Sequence, residues 1–193
     1  FADAFTKGYI AISDLYSNTQ VMTGETPAGL GSSAAILYYN DTVTYADGTI
    51  EPMNLKVLPM PQPNSGKKYI TQAGVGLCAY KTTTQKAEAA AVFAKWLTES
   101  ERNLSFAAET GYMPVTNEAF GKIKDYDFKK DNYKALYSAF QSSVENCTAV
   151  SESQDPEYYN KLIKFYTYLR KIQENKALYD GNAETLWEKL KIQ

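Results

Sequence analysis

The chain has 193 residues, 44% of them apolar and 22% charged, and 20 Lys+Arg stand against 22 Asp+Glu for a net charge of −2. That length allows one domain or two small lobes and the apolar share is enough for a core, while the even charge balance leaves no broad basic surface for a phosphate backbone, so nucleic acid is not expected as a partner. Mean hydropathy is −0.42 and no apolar run approaches the ~20 residues that a membrane crossing needs.

In chain order, Phe1, Ala4 and Phe5 fall at helical spacing and Gly8 sits where a C-terminal glycine would stop the turn. The chain opens without Met, basic segment or signal core, as though partway into a helix, and reads as a piece of a longer protein. Residues 12–22 read as a second helix, which the Gly24-Glu25-Thr26-Pro27 run breaks. Any strand in the small, apolar stretch 28–39 is confined to the C-terminal side of Pro27 or to a sheet edge. Asp47-Gly48 marks a turn between Val43-Thr44-Tyr45 and Ile50, a hairpin signal. Residues 55–58 alternate as a short strand, which Pro59, Pro61 and Pro63 end in a linker-like segment.

Residues 70–81 are again strand-like, with Gly74 and Gly76 leaving room for close approach by another backbone or a ligand. Helices dominate after that. Residues 84–97 place Val92, Phe93, Trp96 and Leu97 on one face, expected to point at a core. Thr98-Glu99-Ser100-Glu101 matches a capping box for a helix that Gly111 ends. A helix over 132–144 follows, then a long one begun by Asp155 as N-cap and Pro156 as first residue, with Tyr159, Leu162, Ile163, Tyr166, Leu169 and Ile172 on its apolar side. Asn182 caps a last helix expected to bury Leu186, Trp187 and Leu190.

The chain has no His, which removes the side chain most used for acid–base work near neutral pH, and with it Ser-His-Asp, Cys-His and HExxH chemistry. Cys78 and Cys147 have no CxxC spacing, so neither a metal site nor a cofactor is expected. Cys78 lies in the apolar run 75–80, a buried strand by composition, and two buried free thiols are the simpler reading than a bridge. Asp125, Asp127 and Asp131 lie among lysines as a solvated charge run, and no carboxylate pair stands out for glycoside hydrolysis.

Gly29-Leu30-Gly31-Ser32-Ser33-Ala34 offers backbone N–H groups and two hydroxyls to a polar ligand, although a close-packed turn accounts for it equally well. Gln72-Ala73-Gly74-Val75-Gly76 lacks both the GxGxxG and the GxxxxGK[ST] spacing, so a phosphate cradle is unsupported. Glu109-Thr110-Gly111-Tyr112-Met113-Pro114 sets an aromatic side chain just beyond a helix end on a proline-stiffened loop, where Tyr112 either stacks on a sugar face or plugs the loop. Most of the 16 Tyr, such as Tyr158, Tyr159, Tyr166 and Tyr168 within one helix, read as structural.

The order of these motifs is itself informative. A glycine-terminated helix, Met22-Thr23-Gly24-Glu25, Gly31-Ser32-Ser33, Leu58-Pro59-Met60-Pro61, Gly74-Val75-Gly76-Leu77, then Lys86 to Ala90 leading to Phe93-Ala94-Lys95-Trp96-Leu97-Thr98, and Thr110-Gly111-Tyr112-Met113-Pro114-Val115 together resemble the second half of an extracellular solute-binding protein of the family 1 type, which includes maltose- and glycerol-phosphate-binding proteins. Residues 8–120 carry most of the likeness, and the region from Gly121 onward shares only its helical character.

The resemblance implies an α/β fold of the periplasmic-binding-protein-like type II kind, present in part and with a helix-rich C-terminal portion. In it residues 1–68 and 121–193 belong to the C-terminal lobe and residues 69–120 return to the N-terminal lobe. It implies ligand contacts at Ser32, Ser33, Gly74 and Tyr112, a sugar-like small solute, and delivery to the membrane subunits of an ABC transporter. The place is the cell surface on a lipid anchor, or the periplasm, and the missing first half calls for association with that half or a second copy. Where the maltose-binding branch has a tryptophan after a glycine-proline pair this chain has serine, which suits a polar headgroup or a smaller sugar. A carbohydrate-processing enzyme and an adhesive domain presenting the tyrosine-bearing helices stay open as alternatives.

Overall fold

The computed structural model describes every residue except 15, 81, 154, 176–180, 192 and 193, with residues 190 and 191 described through their backbone alone. The chain divides into two compact units, residues 1–20 with 153–193, and residues 21–152. Among the described residues the chain is helix-rich, with four short strands.

In the first unit α1 (Ala2–Thr6) stops as its glycine requires. Gly8 takes φ +76°, its N–H donates to Phe5 O at 3.0 Å, and Tyr9 N–H donates to Ala4 O at 2.9 Å, the paired bonds of a Schellman closure. The expected helix over 12–22 is shorter, α2 (Ser17–Met22). Its first residues are diverted: Ile12 N–H donates to Gln173 Oε1 at 2.8 Å, Ile12 O accepts from Gln173 Nε2 at 3.2 Å, and Asp14 pairs with Arg170 at 2.9 Å. Backbone groups spent on α7 (Tyr158–Glu174) are not available to a helical ladder.

α7 begins two residues later than Asp155-Pro156 would start it, because Asp155 closes a preceding turn. Its Oδ1 accepts from Glu157 N–H at 2.9 Å and its O from Tyr158 N–H at 2.9 Å. The apolar side is also rotated from the expected one. Leu169 and Ile172 are buried with Phe5 and Leu186, flanked by Phe165 and Tyr168, whereas Tyr159, Ile163 and Tyr166 are exposed. α8 (Ala183–Lys191) is capped as expected, Asn182 Oδ1 accepting from Glu184 N–H at 2.8 Å and Thr185 N–H at 3.2 Å. Leu186 is buried, Trp187 is about half exposed instead of buried, and the Leu190 side chain lies outside the described residues.

In the second unit β1 (Thr42–Thr44) and β2 (Ile50–Pro52) form the expected antiparallel hairpin, with Val43 opposite Glu51. Gly48 N–H donates to Tyr45 O at 2.9 Å, Gly48 takes φ +85°, and Tyr45 N–H donates to Thr49 O at 2.9 Å, a three-residue loop with its glycine at the left-handed position. Residues 55–58 pair with nothing and form no strand. The strand expected over 70–81 reduces to β3 (Tyr69–Gln72), residue 81 lying outside the described residues. Residues 73–80 are exposed, so Cys78 is exposed and not buried, and Cys147 is half-buried.

β3 pairs in parallel with β4 (Thr148–Ser151), Tyr69 opposite Thr148 and Gln72 opposite Ser151. α3 (Thr84–Leu97) is N-capped by Thr83 Oγ1, which accepts from Lys86 N–H at 3.3 Å. No residue of α3 is buried; Val92, Phe93 and Trp96 are exposed where a core-facing stripe was expected, and the Arg102 guanidinium lies 4.7 Å from the Trp96 ring centre. α4 (Ser100–Thr110) lacks its expected capping box: Thr98 Oγ1 donates to Ala94 O at 2.8 Å and so closes α3, leaving Glu99 before α4 without a side-chain cap. The core of this unit is Leu104, Ala119 of α5 (Asn117–Lys122), Ile123 of a tight turn (Ile123–Asp125), and Tyr137 of α6 (Asp131–Asn146), with Tyr126, Phe128 and Phe140 around them.

Candidate functional site

Ser32 stands before a 3₁₀ turn, Ser33–Tyr38, with no strand ahead of it. Its Oγ accepts from Ala34 N–H at 3.3 Å, so the hydroxyl caps the turn and keeps its own proton to donate. Ser32 is exposed, Ser33 half-buried, and Ile36 anchors the turn in the core.

α4 ends at Gly111 in the left-handed conformation, φ +74°, its N–H donating to Ala107 O at 3.0 Å. A Cβ at Gly111 would stand 2.8 Å from Ser33 O and 2.6 Å from Ile36 Cγ2. Only a residue without a side chain lets the end of α4 press on the Ser33 turn so closely, and this contact brings the Tyr112 loop to Ser33. Tyr112 remains exposed, while Gly111 and Pro114 on either side are buried.

The loop is held by two buried side chains that motif reading passes over. Asn103 Oδ1 accepts from Val115 N–H at 2.8 Å. The Tyr137 hydroxyl reaches two carbonyls, Ala107 O and, at 2.8 Å, Tyr112 O, and shares its one proton between them. Burial pushes the Tyr137 phenol well above its ordinary value, so it stays a donor. Both residues answer to backbone groups far along the chain, and the only sequence trace of that role is a polar atom within an otherwise apolar helix face.

Gly74 stands apart from this arrangement. Nothing lies within 4 Å of where its Cβ would be, so the close approach expected there is not made. A separate hollow of about 360 Å³ is lined by Met60, Gln62, Lys68, Ser142 and Cys147 among others, and no candidate residue lines it. Its polar groups are largely spent: Gln62 donates to Tyr69 O and accepts from Tyr69 N–H, and Asn146 Nδ2 donates to Ser142 O. Among the described residues no group of three acidic, Cys or His side chains could hold a metal ion, and no helix is long and apolar enough to cross a membrane.

A glycine-packed turn thus lies beside a loop whose backbone is pinned and whose Tyr112 side chain is exposed. The profile described as bacterial extracellular solute-binding protein matches residues 4–135, more than half of the sequence, and the chain belongs to that family. Membership implies a periplasmic-binding-protein-like fold, a place outside the cytoplasmic membrane, a small-molecule solute, and membrane components of an ABC transporter as partners. No curated protein and no solved structure matches the chain.

Proposed function

We propose that this chain captures a sugar or sugar derivative and passes it unchanged to the membrane subunits of an ABC importer. The observation that carries the reading is the family match over residues 4–135. The contact of Gly111 with the Ser33 turn supports Ser32, Ser33 and Tyr112 as one binding surface, since it brings the backbone that carries the exposed Tyr112 to the turn that carries the two hydroxyls. A ring face stacks on the C–H face of a sugar and hydroxyls meet its polar rim, the usual division of labour in such sites.

In this reading the family branch is the maltose- and glycerol-phosphate-binding type, held at the cell surface by a lipid anchor or free in a periplasm. Residues 1–68 and 121–193 furnish one lobe, residues 69–120 the other, and Gly74 lies on the stretch that crosses between them. Small hydroxyl residues in place of a second large ring favour a short ligand over a long oligosaccharide. Binding without turnover fits a chain that has no His and whose shifted carboxylates, Asp47, Glu118 and Asp155, are tied to surface partners.

Calorimetry against glucose, maltose and glycerol phosphate tests the reading. One of them binds, and Tyr112→Ala weakens it by about tenfold or more, roughly 1.4 kcal/mol. Silence toward all three with robust binding of a peptide or metal ion overturns the sugar assignment, and hydrolysis of any glycoside overturns capture without chemistry.

A further inference from the structure

The Tyr112 loop combines two properties that seldom occur together, an exposed aromatic side chain and a backbone fastened from below. Loops that leave a helix end are ordinarily mobile, because their peptide groups turn to water. Here the Gly111 N–H is met by Ala107 O, the Tyr112 carbonyl by the Tyr137 hydroxyl, and the Val115 N–H by Asn103 Oδ1, while Pro114 has no N–H to satisfy. Asn103 and Tyr137 are 5% and 2% exposed, so neither exchanges its bond for water.

We infer that Tyr137 is the positioning residue of the candidate site, its hydroxyl fixing the peptide that carries Tyr112 just beyond the point where Gly111 packs on the Ser33 turn. Its value for capture rests on the solute-binding reading; the positioning itself does not. The Tyr137 ring cannot swing away, since it stacks on Phe128 at 5.1 Å and meets Phe140 edge-on at 5.3 Å. The hydroxyl serves both carbonyls, and at Ala107 O it adds to the Gly111 N–H at 3.0 Å, so its bond to the Tyr112 carbonyl is the one that reaches the loop. α6 and α4 both pack on the Ser33–Tyr38 turn, so the helix carrying the clamp and the loop it clamps share one platform. A ring ordered before the ligand arrives avoids the loss of freedom that binding would otherwise exact.

Tyr137→Phe keeps the ring and its stacking and removes only the donor. Hydrogen exchange of single amides then separates aiming from general stability. Positioning predicts that the Gly111 and Val115 amides exchange at least about tenfold faster in Tyr137→Phe, while the amides of α3 change by less than about twofold. Phe128→Leu, at a half-buried site, keeps the hydroxyl and loosens the ring that aims it, and produces the same selective change at smaller size. Unchanged loop amides in both variants, or equal acceleration in every helix, overturn the proposal. Glucose, maltose and glycerol phosphate are the binding probes: if none binds the unaltered protein while the selective exchange is seen, the capture reading fails and the positioning stands.

Discussion

Two glycines that look alike in the sequence have opposite physical situations. Gly111 combines φ +74° with Ser33 O and Ile36 Cγ2 inside the space a Cβ would fill, and the first of these is backbone that cannot rotate aside. Gly111→Ala therefore adds left-handed strain of about 1–2 kcal/mol to overpacking of about 1–3 kcal/mol, and a urea titration should record a loss of about 2–5 kcal/mol. Gly121 sits within α5 with nothing within 4 Å of its Cβ position, and Gly121→Ala should gain about 0.5–1 kcal/mol by restricting the unfolded chain. Equal effects at the two positions would refute the contact between the end of α4 and the Ser33 turn. At this scale the candidate site was half legible. Gly111-Tyr112 and Ser32-Ser33 announce themselves as glycine-punctuated motifs, but their adjacency, and the part of Asn103 and Tyr137 in it, depend on partners remote along the chain that no local pattern encodes.

Among the elements, α7 carries a pH dependence whose sign follows from its first turn. Its hydrogen bond with Lys161, and then that from Glu157 N–H, hold the Asp155 carboxyl below its ordinary 3.8, and Asp155 in turn raises the Lys161 ammonium. A depressed carboxyl contributes stability that is complete above its unfolded value and lost as pH falls through the lower native one, so the start of α7 should loosen below about pH 4. The raised ammonium contributes below its unfolded value and is lost as pH rises through the higher native one, so a matching loss follows above pH 10.5. Asp155→Asn should flatten the acid limb of a circular-dichroism titration, and high salt should shrink the effect because the pair is exposed; an acid limb identical in the variant would dissociate Asp155 from it. α3, α4, α6 and α7 were legible because apolar spacing persists over several turns. The capping box failed because Thr98 has two possible employers and closes the helix it follows. β4 left no trace in advance, since Thr148-Ala149-Val150-Ser151 is short, exposed on both faces, and finds its partner at Tyr69 to Gln72, far earlier in the chain.

At the level of the whole molecule, each unit has its own buried cluster, and the first is assembled from the two ends of the chain. Phe5 of α1 meets Leu169, Ile172 and Leu186, so residues 1–20 have a core only while residues 153–193 are present to supply it. The second cluster, Leu104, Ala119, Ile123 and Tyr137, lies wholly within residues 21–152, as do both strand pairs. Leu169→Ala removes a fully buried side chain at a cost of about 2–5 kcal/mol, and Ile123→Ala does the same in the other cluster. Because neither cluster borrows a buried residue from the other, each loss should stay where it is made. Leu169→Ala should speed exchange of the α1 and α8 amides by about tenfold or more and leave α4 and α6 within about twofold, and Ile123→Ala should do the reverse. If either substitution accelerates all four helices together, the molecule unfolds as one cooperative body and the division into two units has no thermodynamic content.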